Sequence, residues 1–204
     1  MFENIIGHKA VIRQLSDEVS SGRLPGSILI EGAQYAGKLT IALELARALT
    51  CTGDRKWNCR CRACRYQKQL VNPDTILLGP DDFMEEIHLT ASLLKESNEF
   101  YSRYLFLRDV RKLLHRFNPV FFDDKESRVR KAEPFIAEIE EKLDGFNPDL
   151  DTGINEKFID SVVSAAASLS KETNLINISV DYIRKIIFWS HTTGLEKNKV
   201  IIIE

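Results

Sequence analysis

Residues 27 to 39 read Ser-Ile-Leu-Ile-Glu-Gly-Ala-Gln-Tyr-Ala-Gly-Lys-Leu: an apolar stretch, then Gly32 to Lys38 in the pattern GxxxxGK, then a helix-period run. The pattern makes physical sense only between a strand and a helix. Glycines let backbone N–H groups wrap a phosphate, the helix N-terminus adds partial positive charge, and Lys38 adds a full one. Ser27–Glu31 therefore reads as a short buried strand, and Leu39, Ile41, Ala42, Leu45, Ala46 and Leu49 as the inward face of the following helix. Further short apolar stretches at Thr75–Leu78, Ile176–Ile178 and Lys199–Glu204 alternate with helical segments. Such alternation implies an α/β fold of the P-loop NTPase type, a parallel sheet flanked by helices on both faces.

The loop carries a defect. The position after the lysine calls for Ser or Thr, whose hydroxyl ligates Mg²⁺. Leu39 stands there and has no oxygen. Thr40 follows, but one residue along a helix is turned by about 100°. Gly32, Gly37 and Lys38 keep a phosphate-holding pattern, so ATP or ADP binding with Mg²⁺ is retained as a candidate property, whereas metal-assisted hydrolysis is not expected. Val200–Ile203 ending in Glu204 reads as a Walker B strand with an acidic end toward the metal, or as one more buried strand.

All four cysteines, Cys51, Cys59, Cys61 and Cys64, fall in one short stretch. A secreted disulfide scaffold would spread them, whereas clustered thiolates suit a tetrahedral Zn²⁺ in a reducing compartment. Four protein ligands leave no open position, so the expected role is structural. Arg55, Lys56, Arg60, Arg62, Arg65 and Lys68 surround them, with Asp54 the one nearby acid. These cations either neutralise and solvate the thiolate site or form a DNA-phosphate patch; the first reading is preferred because Trp57 and Tyr66 are the only aromatic residues interleaved. Over the whole chain, 28 Lys+Arg against 30 Asp+Glu give a net charge of -2, which excludes a global basic field. The histidines, His8, His88, His115 and His191, show no metal spacing. No apolar run reaches membrane-span length and the first residues lack a signal-peptide core, so a cytoplasmic protein is expected.

From about residue 81 to about 174 the pattern becomes helical without strand signals. One long or broken helix runs from Leu93 to Phe117, a second over Ser127–Leu143 and a third over Glu156–Leu169, separated at Asn118-Pro119, Gly145–Pro148 and Gly153. This block reads as an insertion with its own small core, built on Leu105, Val110, Leu113, Leu114, Phe135 and Ile139. The glutamates Glu138, Glu140 and Glu141 with Lys142 read as a solvated face. Beyond it, Ser179 reads as the N-cap of a helix carrying Ile183, Ile186 and Ile187.

Several pieces together resemble one family. FENIIGH, GRLPGSILIEG, GAQYAGKLT, the helix ending ARALTC, the cysteine cluster, NPDTILL, INISVDYIRKI and KNKVIIIE occur in the order of the delta-prime family of bacterial DNA polymerase III clamp-loader subunits, which have an AAA+ fold. The resemblance covers about residues 1–80 and 175–204; the block between matches nothing known in that family. The ATP-hydrolysing tau/gamma subunits open with a basic Arg-Pro segment and keep GKT, whereas this chain starts at Phe2 and has Leu39. The resemblance implies a non-hydrolysing structural subunit in DNA replication that helps load the sliding clamp onto primed DNA. It places Ile5, Ile6 and Gly7 near an adenine pocket, Gly32 to Lys38 near phosphates, and zinc on the four cysteines. Implied partners are the tau/gamma and delta subunits, with the sliding clamp and primer-template DNA reached through the complex, in a cytoplasmic, nucleoid-associated replisome without membrane contact. The family's sensor residues, arginine finger, lid and collar would all follow Glu204, so the chain is expected to be an amino-terminal portion. The alternatives are an active clamp-loader ATPase of the tau/gamma type and an unrelated zinc-bearing nucleotide-binding regulator.

Overall fold

The computed structural model describes residues 1–34, 36–79, 83–121, 127–150, 154–172, 180–196 and 198–204, the side chains of residues 127 and 128 excepted. The expected strand Ile176–Ile178, the cap Ser179, Tyr35 of the glycine loop, Pro80 and the break at Gly153 lie outside the described residues. The chain divides into two compact units, Met1–Leu77 with Gly194–Glu204, and Leu78–Thr193.

In the first unit, helix α1 spans Lys9–Ser21 and stops at Gly22, whose φ of 67° is the left-handed cap geometry that glycine takes without strain. Leu15 and Val19 are buried against Phe2, Ile41 and Leu45. Helix α2, Lys38–Thr50, is unusual in having two apolar faces. Ile41 and Leu45 join the cluster with α1, while Leu43 and Ala46 pack with Leu70, Leu77 and Ile202. A short helix α3, Arg62–Lys68, follows the cysteine loop. Strand β1, Thr75–Leu78, is buried along its length and pairs with β2, Val200–Ile203, in a two-stranded parallel sheet.

The returning segment is held at one residue. The Asp74 carboxylate accepts the Glu196 N–H at 2.6 Å, and its carbonyl accepts the Val200 N–H at 2.8 Å. A Cβ on Gly194 would collide with that same carboxylate, so any larger residue there would displace Asp74 from its bond to Glu196. The Asn198 amide adds a bond to the Leu49 carbonyl at 2.7 Å, tying the return to the end of α2.

Two strand expectations are corrected. Ser27–Glu31 is not a strand: Ile28 and Leu29 are exposed, Leu29 to 81%, and only Ile30 packs on the α1–α2 cluster. Among the described residues no strand lies beside it to satisfy its N–H and C=O groups, and an apolar run without a partner gains nothing from the extended ladder. Strand β2 is not buried as a whole either; only Ile202 is, because among the described residues β2 pairs with β1 alone and Ile201 and Ile203 face outward. Among the described residues, the expected sheet with helices on both faces is a small two-stranded sheet beside many helices.

The second unit is helical: α4 Phe83–Glu96, α5 Phe100–His115, α6 Ser127–Asp144, α7 Glu156–Ser170 and α8 Val180–His191. The long or broken helix expected over residues 93–117 is broken, parting at residues 97–99 into α4 and α5. α4 packs on α5 and α7, and α6 on α7. Ile87, Leu94, Phe106, Leu107, Val110, Leu113, Ile139, Ile159, Val162 and Leu169 form the core, with Leu114 and Phe135 half-buried at its margin. Leu105, expected inside, is exposed. It lies five residues before Val110, about 140° round the helix, and Phe106 and Leu107 fill the core in its place. α7 starts at a real cap, the Asn155 side chain accepting the Phe158 N–H at 2.9 Å. Cross-helix ion pairs join Lys112 to Glu86 and Lys95 to Asp160, each at 2.6 Å. Burial pushes the Asp109 carboxyl above its usual range, with Lys112 opposing the shift.

Each unit holds one of the two tryptophans, Trp57 and Trp189. Leu113 is fully buried, so Leu113→Ala is expected to destabilise the helical unit by about 2–5 kcal/mol. Urea unfolding followed by Trp189 fluorescence in a Trp57→Phe background measures it; a change below about 1 kcal/mol contradicts the assigned core.

Candidate functional site

Cys51 caps the C-terminus of α2 and Cys61 the N-terminus of α3, so the loop between them carries Cys59, and Cys64 sits within α3. The fold thereby gathers all four thiols. Their sulfur atoms lie within 4.8 Å of one another, Cys51 being 3.7 Å from Cys59 and 3.9 Å from Cys61. A tetrahedron with metal–sulfur bonds of ~2.3 Å has edges of about 3.8 Å, and all four cysteines are free. The sulfurs also receive the outer hydrogen bonds that thiolates need. The Gly53 N–H reaches Cys51 Sγ at 3.3 Å and the Cys64 N–H reaches Cys61 Sγ at 3.4 Å. A Cβ on Gly53 would stand 2.7 Å from Cys59 Sγ, so the loop closes this tightly around the sulfurs only with glycine there. Spacing, donor type and local backbone all fit a tetrahedral metal such as zinc.

The thiols differ electrostatically. Burial raises the Cys61 thiol, but the Cys64 N–H and Thr52 outweigh it and bring it down to about 6. Burial pushes the Cys64 thiol well up, against the pull of Arg47. A metal must displace that proton.

At the glycine loop, Gly37 caps α2 with φ 81°, and Lys38 Nζ donates to the Gly32 and Ala33 carbonyls at 3.1 and 2.7 Å. The lysine thus closes its own loop. Leu39 is half-buried and packs with the cluster of Leu43, Ala46 and Leu77, while Thr40 is exposed. Ile5 packs half-buried on the α1–α2 cluster, whereas Ile6 is 96% exposed. Glu204 is exposed at the end of β2.

Residues 7–119, more than half of the chain, match the family described as DNA polymerase III, delta subunit. The chain belongs to that family. It is therefore a clamp-loader-type subunit family member of DNA polymerase III, with a role in DNA replication and with other clamp-loader and replisome components as its partners. No curated protein and no solved structure matches the chain. The matched stretch runs from α1 through α4 and α5. No helix among the described residues is long and apolar enough to cross a membrane.

Sequence reasoning about this family member missed Glu44 and Arg47, the most consequential polar residues beside the thiols. Both side chains are 1% exposed. Arg47 forms a two-pronged pair with Glu44, Nη2–Oε1 at 2.6 Å and Nε–Oε2 at 2.9 Å. Its remaining donors reach the Arg55 carbonyl at 2.8 Å, the Lys56 carbonyl at 3.0 Å and Cys64 Sγ at 3.0 Å. Glu44 also accepts the Phe2 N–H at 3.3 Å, and Glu3 accepts the Trp57 N–H at 2.9 Å. The signal was present: two opposite charges three apart within Leu43–Leu49, on a helix whose neighbours leave them no solvent face. Outside this network, Lys56, Arg60, Arg62 and Arg65 are exposed. Arg62 lies over Tyr66, and Lys68 over Trp57 at 4.4 Å.

The site predicts about one equivalent of zinc in protein purified without chelator. Cys61→Ser is expected to release it and to destabilise the first unit. Because metal displaces thiol protons, apparent affinity should rise with pH, the buried Cys64 proton being the hardest to remove. Elemental analysis and chelator competition across pH check both; metal-free protein of full stability contradicts the site.

Proposed function

We propose that this chain serves as a delta-prime-type clamp-loader subunit, a structural and interface-forming member of the machine that loads the sliding clamp onto primed DNA, without ATP turnover of its own. Its partners in this reading are the tau/gamma and delta subunits, with the clamp and primer-template DNA reached through the assembly. Residues 1–80 and 175–204 form the AAA+ part with its zinc module, and residues 81–174 an added helical block.

One observation carries the reading. Where an Mg²⁺-ligating hydroxyl belongs, Leu39 is turned into an apolar cluster with Leu43, Ala46 and Leu77. Hydrolysis needs a metal bridging the phosphates and stabilising developing charge, worth several kcal/mol. Each ~1.4 kcal/mol is about tenfold in rate, so loss of a direct ligand silences turnover. Thr40, exposed on the next helical position, supplies no substitute. Lys38, bonded to the Gly32 and Ala33 carbonyls, must first leave them to meet a phosphate. Weak ATP or ADP binding through Gly32, Gly37 and Lys38 is compatible with this.

Co-elution of the chain with tau/gamma and delta subunits is the expected result of reconstitution, with no hydrolysis added by this subunit. Leu39→Thr should strengthen Mg²⁺-dependent nucleotide binding before any turnover appears. Robust hydrolysis by the unmodified protein alone, abolished by Lys38→Ala, would instead establish an ATPase of the tau/gamma type.

The division into a zinc-bearing part and a helical part makes a separate prediction. Joining Gly79 to Gly194 through a short flexible linker should leave a soluble protein that still binds metal at the four cysteines, since Asp74 already holds the returning segment beside β1. Loss of solubility and metal together would show that the first unit does not stand alone.

A further inference from the structure

We infer that Arg47 is the positioning residue of the metal centre: held by Glu44, its guanidinium supplies the buried counter-charge and hydrogen bond at Cys64 Sγ and links metal occupancy to the seating of the Trp57 loop on α2. The inference rests on the four thiols holding a metal.

A dication on four thiolates carries net negative charge, and burying it uncompensated is costly. Cys64 is the buried member of the set, and the Arg47 guanidinium reaches its sulfur at 3.0 Å. The guanidinium has no freedom to be elsewhere. Two of its nitrogens are fixed on Glu44, and the same head-group binds the Arg55 and Lys56 carbonyls just ahead of Cys59. A planar fork with five donors can reach carboxylate, two carbonyls and a sulfur together; an ammonium cannot. Arg47 therefore draws two parts of the metal loop onto one helix: the backbone at residues 55–56 and the sulfur of Cys64. Trp57, with its ring 5.8 Å from the guanidinium carbon, rides on this arrangement. The sulfur bond thus falls to a buried arginine of α2 rather than to the exposed cations of the loop.

Outer hydrogen-bond partners of metal ligands typically change metal affinity by 10- to 100-fold. The test uses the whole chain loaded with Co²⁺, whose sulfur-to-metal charge-transfer band reports the thiolates directly. Arg47→Lys keeps a charge but loses the fork; Glu44→Gln with Arg47→Gln removes both charges and leaves no buried ion unpaired. Both are expected to lower Co²⁺ and Zn²⁺ affinity by about 10- to 100-fold in chelator competition and to shift the charge-transfer band, whereas Arg13→Gln, exposed on α1, leaves both unchanged. In the unaltered protein, the Arg47 Nη–H protons are expected to be protected from solvent exchange in the metal-loaded form, and chelation is expected to alter Trp57 fluorescence. Unaltered affinity and band in both variants, or rapidly exchanging Arg47 protons in the loaded wild type, overturns the role of Arg47 alone. A wild-type protein that takes up no Co²⁺ overturns the metal reading and this inference with it.

Discussion

The ion pair between Glu44 and Arg47 is the constraint around which the first unit is arranged. An apolar face on each side of α2 leaves these two side chains no route to water, so each must satisfy the other. A buried pair of this kind adds little net stability compared with apolar residues of the same shape, but removing one partner leaves an unpaired charge at a cost of about 3–5 kcal/mol. Its value here is specification. Glu44 receives the chain start at Phe2, and Arg47 receives the backbone of the cysteine loop. A helix that would otherwise have only a greasy surface thereby acquires one register for everything that touches it.

Local signals in the sequence were read well. α1, α6 and α7 lie where periodicity and breakers put them, because caps and helical spacing act within a few residues. The thiol cluster was legible for the same reason: the four cysteines are close in sequence before they are close in space. What escaped depended on distant neighbours. Whether Ser27–Glu31 is a strand is decided by a partner, and no window of residues contains that information. Leu105 was misplaced by counting apolar residues without measuring their angle. Glu44 and Arg47 went unremarked because the two packed faces that enclose them include distant residues such as Leu77 and Ile202.

The glycine loop shows how one position can serve either chemistry or packing. A hydroxyl at residue 39 would point a ligand toward a metal; the leucine instead extends the cluster that seats β1 and β2 on α2. Lys38 shows a similar redirection, bonding the loop's own carbonyls. Both side chains are thus engaged with the protein's own packing and backbone.

Asp74 bonds Glu196 across 122 positions of sequence, and Gly194 gives it room. This fixes an order of events during synthesis. Helices α1 and α2 and the cysteine loop leave the ribosome well before β2 does, and they can associate while β1 still has an open edge. Bringing distant segments together costs entropy that grows with the length of free chain between them. Once the intervening helices condense, that length shortens, and the last strand docks at a lower entropic cost. Folding of the intervening helices thus shortens the loop that the first unit must close.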